Sequence, residues 1–476
     1  MRFLVEAIEV TDDGAEIAEL LERAGEAAVH GAAVDQAETL LRDAIGRREK
    51  MGDRSGAARA TALLGQGLVN GYRSADAVVI LEPAVEAYGD LVDDPALVAI
   101  EHQLARGYWF GDDVVRAIEF ADRAIGRAER IEAVELVADC LITKGACLST
   151  SSRPFEGTGI LEAGIRLAET LGLRQTVVRG LLNLGVALLA RDPRGTFERS
   201  NAAFDMARRF GFRNSYAIAL ANAAEIAVDL GEWDWALAAT DEPNVEQLSP
   251  ADRASVQRSR EEIMAARGMP VDELLAQHER LVVDGHDAQQ ESNLWAGKAA
   301  AAFAAGRYRE AAAGWRRSAE LNFANTATDL PRAARALLGE GDLDGVRGTL
   351  MAIDAAAVHG RVVDLERRAL AAALSARDGD RERAANEYSE VLPELAEMGL
   401  AYKQALVVVD MALVLGADEP VVQASVEGAR AILERLDARA ISARLEELMG
   451  VAAGSPPRES PGHETEVEAA TSGGVS

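Results

Sequence analysis

The chain has 476 residues, of which 49% are apolar but only 5% aromatic, and its formal net charge is −28. This length accommodates two or three ordinary domains or one extended repeat array, and the scarcity of aromatic side chains favours many thin layers of closely packed helices. The negative charge disfavours nucleic acids and anionic membrane surfaces as partners and favours basic or neutral ones.

Residues 1–14 are predicted to form a helical lead-in to the rest of the chain. An acidic residue, Glu6, comes too early for the start to be a secretory signal. No apolar run approaches the roughly 20 residues that a bilayer span requires. The sequence therefore predicts a cytoplasmic protein.

Small residues recur with a period of 40 positions from residue 25 onward, and each is followed by others 12 and 19 positions later. In a helix-turn-helix unit the first small residue lets helix A approach helix B, and the other two share one face of helix B. The pattern predicts an all-α fold of antiparallel helix pairs, roughly ten to eleven of them, stacked over residues 15–448. The four sets are Gly25, Ala37 and Ala44; Gly65, Ala77 and Ala84; Ala105, Ala117 and Ala124; Gly145, Gly157 and Gly164.

Some segments depart from this pattern. Gly185 would pair with Phe197 and Phe204, so either the loop after Asp192 shifts the register or this layer packs differently. Pro83 falls inside a predicted helix and is expected to kink it. Helices are expected near 190–215, 240–290 and 325–360 without defined boundaries. The tail, 449–476, lacks apolar periodicity and is predicted to be disordered.

Two units share a pattern of small and aromatic residues. The residues are Leu104, Ala105, Tyr108, Ala117, Phe120 and Ala124 in one unit, and Ala299, Gly306, Tyr308, Ala311 and Trp315 in the other. These units resemble the tetratricopeptide (TPR) repeat family. The resemblance implies a right-handed superhelical solenoid in which each pair buries its apolar face only against its neighbours, with a concave groove that binds protein or peptide ligands.

The two ends of the array, at residues 20–28 and 429–436, resemble a narrower group. They look like the C-terminal TPR solenoid of bacterial signalling proteins that couple an ATPase switch to a nucleotide cyclase or to transcriptional regulation. That resemblance implies sensing of an inducer or partner. The sequence has no Gly-x-x-x-x-Gly-Lys-Ser/Thr loop and no basic recognition helix, so it lacks the catalytic and DNA-binding domains of those proteins. An independent adaptor for a multiprotein complex is the alternative, and an enzyme with a site inside the solenoid is a third.

A binding surface is predicted on the concave side. Arg179 and Asn183 lie four apart on one helix, and Asn222 occupies the place of Asn183 one unit later. Such a ladder could hold an extended peptide, with Arg179 meeting an acidic group, unless the asparagines bridge helices inside the scaffold. Trp233 and Trp235 are either exposed anchors for a partner or part of the packing.

No catalytic residue, metal or cofactor is expected. Cys140 and Cys147 are seven apart and are predicted to be buried thiols. The six histidines form no ligand or triad pattern and are expected on the surface or in the groove. Residues 340–345 resemble the start of a calcium loop, but Met351 replaces the carboxylate required at the twelfth position, so a turn between helices is predicted.

Overall fold

The computed structural model describes residues 2–31, 33–151, 153–246, 248–283, 288–356 and 359–450. These residues form 25 α-helices and one 3-10 helix at Phe323–Asn325, and no β-strand occurs among them. The all-α prediction is confirmed. The predicted disordered tail lies, from residue 451 on, outside the described residues.

The helices are of two kinds, A and B, which alternate along the chain and are joined by short turns. They form eleven consecutive A–B pairs, and α25 is the last A helix described. The helix before the array is α1 (Arg2–Glu9). The A helices are α2 (Gly14–His30), α4 (Arg54–Asn70), α6 (Pro95–Phe110), α8 (Val134–Thr150), α10 (Arg174–Leu188), α12 (Arg213–Leu230), α15 (Pro250–Ala266), α17 (Ala288–Ala304), α19 (Thr326–Glu340), α21 (Arg361–Arg377), α23 (Ala401–Leu415) and α25 (Arg439–Leu448). The B helices are α3 (Val34–Met51), α5 (Ser74–Ala87), α7 (Val114–Arg130), α9 (Pro154–Leu171), α11 (Pro193–Phe210), α13 (Trp233–Thr240), α16 (Asp272–Val283), α18 (Tyr308–Leu321), α20 (Leu343–Ala355), α22 (Arg381–Glu397) and α24 (Pro420–Arg435), with the short α14 (Pro243–Glu246) after α13.

Small residues bring the two helices of each pair together. A Cβ atom added at Gly25 would lie 2.5 Å from Leu41 Cγ, and one added at Gly65 would lie 2.6 Å from a methyl group of Leu81. Each glycine on helix A thus makes room for a leucine on helix B, as the 40-residue register requires. The chain is a TPR-like solenoid of stacked helix pairs.

The turns are made by residues with positive φ and by capping carboxylates. Asp112 has φ 63° in the turn between α6 and α7, and Asp113 Oδ1 accepts a hydrogen bond from Arg116 N at 3.1 Å. Between α19 and α20, Gly341 has φ 83° and Asp342 caps the next helix through Gly345 N. Gly341 and Asp342 therefore form a turn between two helices, as predicted for this segment.

The fifth pair shows how the repeat tolerates Phe197. Thr196, not Phe197, lies against Gly185, and Thr196 Oγ1 donates to Gly185 O at 3.0 Å. Ala203, rather than Phe204, takes the following small position and is fully buried. Helix α11 begins at Pro193, eight positions after Gly185, whereas α9 begins at Pro154, nine positions after Gly145, so the register is shifted by one residue. Earlier in the chain, α5 continues through Pro83 as a single helix.

The second half of the array closes on itself. Helix α12 packs against α23, and α15 packs against α25, although each pair is separated by well over a hundred residues. Arg435 Nη1 donates to Gly231 O at 3.3 Å, and Trp233 packs edge-on against Tyr402 with ring centroids 4.9 Å apart. The A helices from α12 to α23 thus surround the superhelix axis as a ring. The expectation that each pair packs only against its neighbours is wrong here, because the alanine-rich layers curve tightly enough for successive turns to touch.

Candidate binding site

Polar side chains connect the A helices of the first five pairs across the inner side of the array. Each bond joins residues 36 to 41 positions apart, or about one repeat. The packing contacts of α2 to α9 run to neighbouring helices along the chain, so this half has the geometry of an ordinary solenoid. The bonds are Arg59 to Glu22 at 3.2 Å, Arg106 to Asn70 at 2.8 Å, His102 to Thr143 at 2.8 Å and Arg179 to Asp139 at 2.8 Å.

Arg179 makes one of these bonds between A helices. Its Nη1 donates to Thr143 Oγ1 at 2.9 Å, and its Nη2 donates to the backbone and side-chain oxygens of Asp139 at 2.7 and 2.8 Å. Burial opposes ionisation of Asp139, but the adjacent guanidinium outweighs it and lowers the pKa of the carboxyl. The guanidinium therefore ties α10 to α8.

Asn183 and Asn222 are placed differently. Both are half-buried, and Asn183 lies on the same partly exposed stripe of α10 as Arg179. Within the described part of the chain, neither amide takes part in a recorded hydrogen bond. Among the described residues, the structure therefore shows no hydrogen-bonded amide bridge between helices at Asn183 or Asn222.

The two tryptophans belong to the packing. Trp233 is 1% exposed, and its Nε1 donates to Val228 O at 2.9 Å while its ring meets Tyr402 on α23. Trp235 is half-buried, with its ring centroid 4.9 Å from that of Phe197. Trp233 therefore lies in the contact between two superhelical turns and exposes no ring to a partner.

Inside the closed half, seven buried charged side chains form one chain of alternating sign. Every member comes from an A helix facing the superhelix axis, and each interior member pairs with two neighbours. In order, the chain runs Glu262, Arg332, Asp229, Lys403, Glu366, Arg335 and Asp410, with nitrogen–oxygen distances of 2.9, 3.2, 3.2, 3.3, 2.9 and 2.7 Å. We call this set the ion chain.

The ion chain begins and ends with a carboxylate, so three cations face four anions. Burial opposes ionisation of Glu366, but Arg335 and Lys403 on either side lower its pKa to about 2. At the ends only one cation is in contact with each carboxylate, and burial prevails. It raises the pKa of Asp410 to about 6 and raises that of Glu262 as well.

A cavity of about 370 Å³ lies at the Asp410 end of the ion chain. This volume is within the roughly 300–1,000 Å³ range of small-ligand sites. Its walls come from α17, α19, α23, α25 and the start of α18. A smaller cavity of about 20 Å³, lined partly by Glu262 and Trp315, shares Phe303, Ala304, Arg335 and Leu406 with it. The two ends of the ion chain therefore both reach cavities.

The remaining candidates for chemistry are buried. Cys140 and Cys147 are free and buried, which confirms the prediction for the thiols. His102 and His278 are also buried, contrary to the expectation of surface or groove histidines; burial lowers the pKa of His102 to about 3, and His278 Nδ1 lies 2.8 Å from Glu261 Oε1. Over the described ranges, no three His, Cys, Asp or Glu side chains converge as metal ligands, and no helix is long and apolar enough to cross a membrane.

The ion chain was missed from the sequence. Its signal is present in α23, where Lys403 and Asp410 lie seven apart on one face of an otherwise apolar helix, and in α19, where Arg332 and Arg335 interrupt a run of alanine and leucine. Charged residues on the face of a helix that should be buried indicate ionic partners from other helices.

No protein-family model matches the chain, and no curated protein matches its sequence. Among solved structures, the chain is similar to the Rap protein complexed with Competence and Sporulation Factor (12% identity, TM-score 0.45, covering 83% of this chain and 99% of that one). It is also similar to the APC/C hetero-tetramer Cut9–Hcn1 (13%, 0.41, 95% and 92%) and to yeast Tom70 (14%, 0.32, 85% and 90%). The chain's own helix pairs define it as a TPR-like solenoid.

Proposed function

We propose that this chain is a binding scaffold that recognises a protein or peptide through the inner face of its A helices and catalyses no reaction itself. The observation that carries the proposal is the pair of amides at Asn183 and Asn222. They occupy equivalent places on successive A helices, are partly exposed, and take no part in the hydrogen bonds recorded for the described residues. Amides one repeat apart suit the backbone of an extended ligand.

Electrostatics supports a basic or neutral ligand for this face. The whole chain carries a charge of −28, which attracts cationic segments and repels acidic ones. The non-catalytic part of the proposal is supported by the charged groups inside the array. These are held in ion pairs between helices, and Asp410, whose pKa is raised, is in contact with an arginine rather than with a nucleophile.

In its finer form, the proposal is that the scaffold is the sensor part of a cytoplasmic ATPase-coupled switch, as the resemblance at residues 20–28 and 429–436 implies. An independent adaptor is the alternative. The two are separated by the gene neighbourhood and by one assay. A neighbouring gene for a P-loop ATPase, whose hydrolysis rate changes when this chain is added, would support the switch; an unchanged rate would favour the adaptor.

Affinity capture from the native cell tests the binding face. The double variant Asn183→Ala/Asn222→Ala should lose a partner that the wild type retains, and Glu169→Ala on the exposed side of α9 is the matched control. If both variants capture the partner as well as the wild type does, the proposed face is wrong. If the double variant only lowers the melting temperature, the asparagines are structural. Retention of the partner at high salt would show that amide contacts rather than the net charge dominate.

A further inference from the structure

The large cavity has an apolar wall and a charged floor. Phe303, Leu406, Leu413 and Ile441 contribute apolar surface, and Tyr308 contributes a ring near the mouth. The floor is formed by Arg335 and Asp410, which are 3% and 5% exposed. At the mouth, Arg444 and Glu447 pair with each other at 2.7 Å. A ligand here would place an apolar part along the wall and one polar head on the floor.

The charge that this polar head must carry follows from the ion pairs that Arg335 and Asp410 make on the floor of the cavity. Arg335 Nε donates to Asp410 Oδ2 at 2.7 Å, and its Nη2 donates to Glu366 Oε2 at 2.9 Å. Arg335 is therefore held by two carboxylates, whereas Asp410 contacts one cation. Among the described residues, no recorded hydrogen bond reaches the other oxygen, Oδ1, of Asp410. The floor thus has spare acceptor capacity and surplus negative charge.

The count over the whole ion chain leads to the same conclusion. Its four carboxylates exceed its three cations by one, and the surplus is found at the ends that line the two cavities. A buried carboxylate without full compensation is costly, and a cation brought next to it recovers part of that cost. An anion would meet the surplus charge instead and would have to displace Asp410 from Arg335.

Aromatic side chains at the mouth also suit a cation. The rings of Phe303 and Tyr308 lie 5.6 Å apart, and the Arg444 guanidinium already sits 5.9 Å from the centre of the Tyr308 ring. Ring faces attract ammonium and guanidinium groups when these are partly shielded from water. Because Glu447 pairs with Arg444 at 2.7 Å, the mouth carries no net positive charge that would oppose an incoming ammonium group.

We propose that this cavity is a binding site for an organic ammonium ion, whose head pairs with Asp410 and whose apolar part lies against Phe303, Leu406 and Ile441. The ammonium group belongs either to a free small amine or to the amino group of a peptide. The site is separate from the partner-binding face on α10 and α12, so the two proposals succeed or fail independently.

Isothermal titration calorimetry and thermal shift on the full chain test the proposal with phenethylamine as the probe. We expect saturable binding of one phenethylamine per chain and a rise in Tm. The neutral 2-phenylethanol and the anionic 3-phenylpropionate, which have similar apolar parts, should bind at least about tenfold more weakly. Equal affinity for all three, or tighter binding of the anion, would overturn the proposal. Phenylalanine amide and its N-acetyl form test whether a peptide can supply the ammonium group. Only phenylalanine amide retains the amino group on a peptide-like frame, so only this compound should bind if the site accepts the amino group of a peptide.

Two variants locate the site. Asp410→Asn keeps the shape of the side chain and should weaken phenethylamine binding at least about tenfold, while Glu427→Gln, an exposed carboxylate on α24, should leave it unchanged. Ala443→Trp covers the case in which the Asp410 variant does not fold, because Ala443 is exposed at the cavity mouth and a large ring there should block entry without disturbing the core. Unchanged affinity in both Asp410→Asn and Ala443→Trp would show that the amine binds elsewhere and would overturn the assignment.

Discussion

Replacing Gly157 by alanine should loosen the contact between α8 and α9. A Cβ atom at this position would lie 2.5 Å from Ser149 N and 2.6 Å from Gly145 O, whereas ordinary contacts begin at 3.4 Å. These are backbone atoms, so no rotamer change can relieve the clash, and the helices would have to separate by about 0.9 Å. Overpacking of this kind costs about 1–3 kcal/mol. Alanine gains up to about 1 kcal/mol in helix propensity, so the net loss in the free energy of unfolding should be about 0–2 kcal/mol, and the variant should be about 1–3 kcal/mol less stable than a glycine-to-alanine change that meets no clash.

Gly126→Ala is the matched control, because Gly126 is an exposed glycine inside α7 with nothing within 4 Å of the added Cβ. It should stabilise the protein by up to about 1 kcal/mol. Urea unfolding of the two variants beside the wild type measures both effects. If Gly157→Ala were as stable as Gly126→Ala, the close approach of α8 and α9 would not be what demands small residues in the 40-residue register.

The remaining predictions concern the closed half. Because burial raises the pKa of Asp410 from 3.8 to about 6 beside Arg335 and Glu366, the folded state binds this proton more tightly than the unfolded state. Asp410 should therefore contribute about 2 kcal/mol more to the stability at pH 4 than at pH 7, so in a series of melting temperatures against pH the wild type should gain relative to Asp410→Asn as the pH falls. Arg335→Met leaves two buried carboxylates short of a partner and should cost about 3–5 kcal/mol in urea unfolding, whereas Arg335→Met/Asp410→Asn should recover part of that loss; a double variant no more stable than the single one would contradict the pairing. Trp233→Ala should cost about 3–5 kcal/mol and speed hydrogen exchange in α12 and α23 but not in α4, and uniform acceleration would argue against a local turn-to-turn contact.

The sequence predicted the helix pairs because their determinants are local and periodic. Gly25 and Gly65 precede the leucines that they accommodate by 16 positions, well inside one repeat. The fifth unit has the same periodicity one residue earlier. Thr196 and Ala203 lie seven apart, as Phe197 and Phe204 do, and they take the positions next to helix A.

The closure of the second half could not be predicted in the same way. Its contacts join Gly231 to Arg435 and Trp233 to Tyr402, and which residues meet depends on the curvature summed over several pairs. A small change in the angle between successive pairs alters that sum, and nothing local in the sequence records it. For the same reason the partners of Asp410 were not identified, although its presence in an apolar helix was visible.

The closure also changes how the array responds to force. An open solenoid behaves as a spring, because each pair can tilt on the next without breaking contacts elsewhere. Hydrogen bonds from Val362 N to Ala190 O and from Arg267 Nε to Leu436 O, together with the ion chain, fasten one superhelical turn to the next. These pairs must therefore move as a block. Helices α2 to α9 have no such fastening in the contacts between helices and keep the compliance of a spring. A partner held on the inner face near α10 would therefore lie where the flexible first half of the array meets the rigid, closed second half.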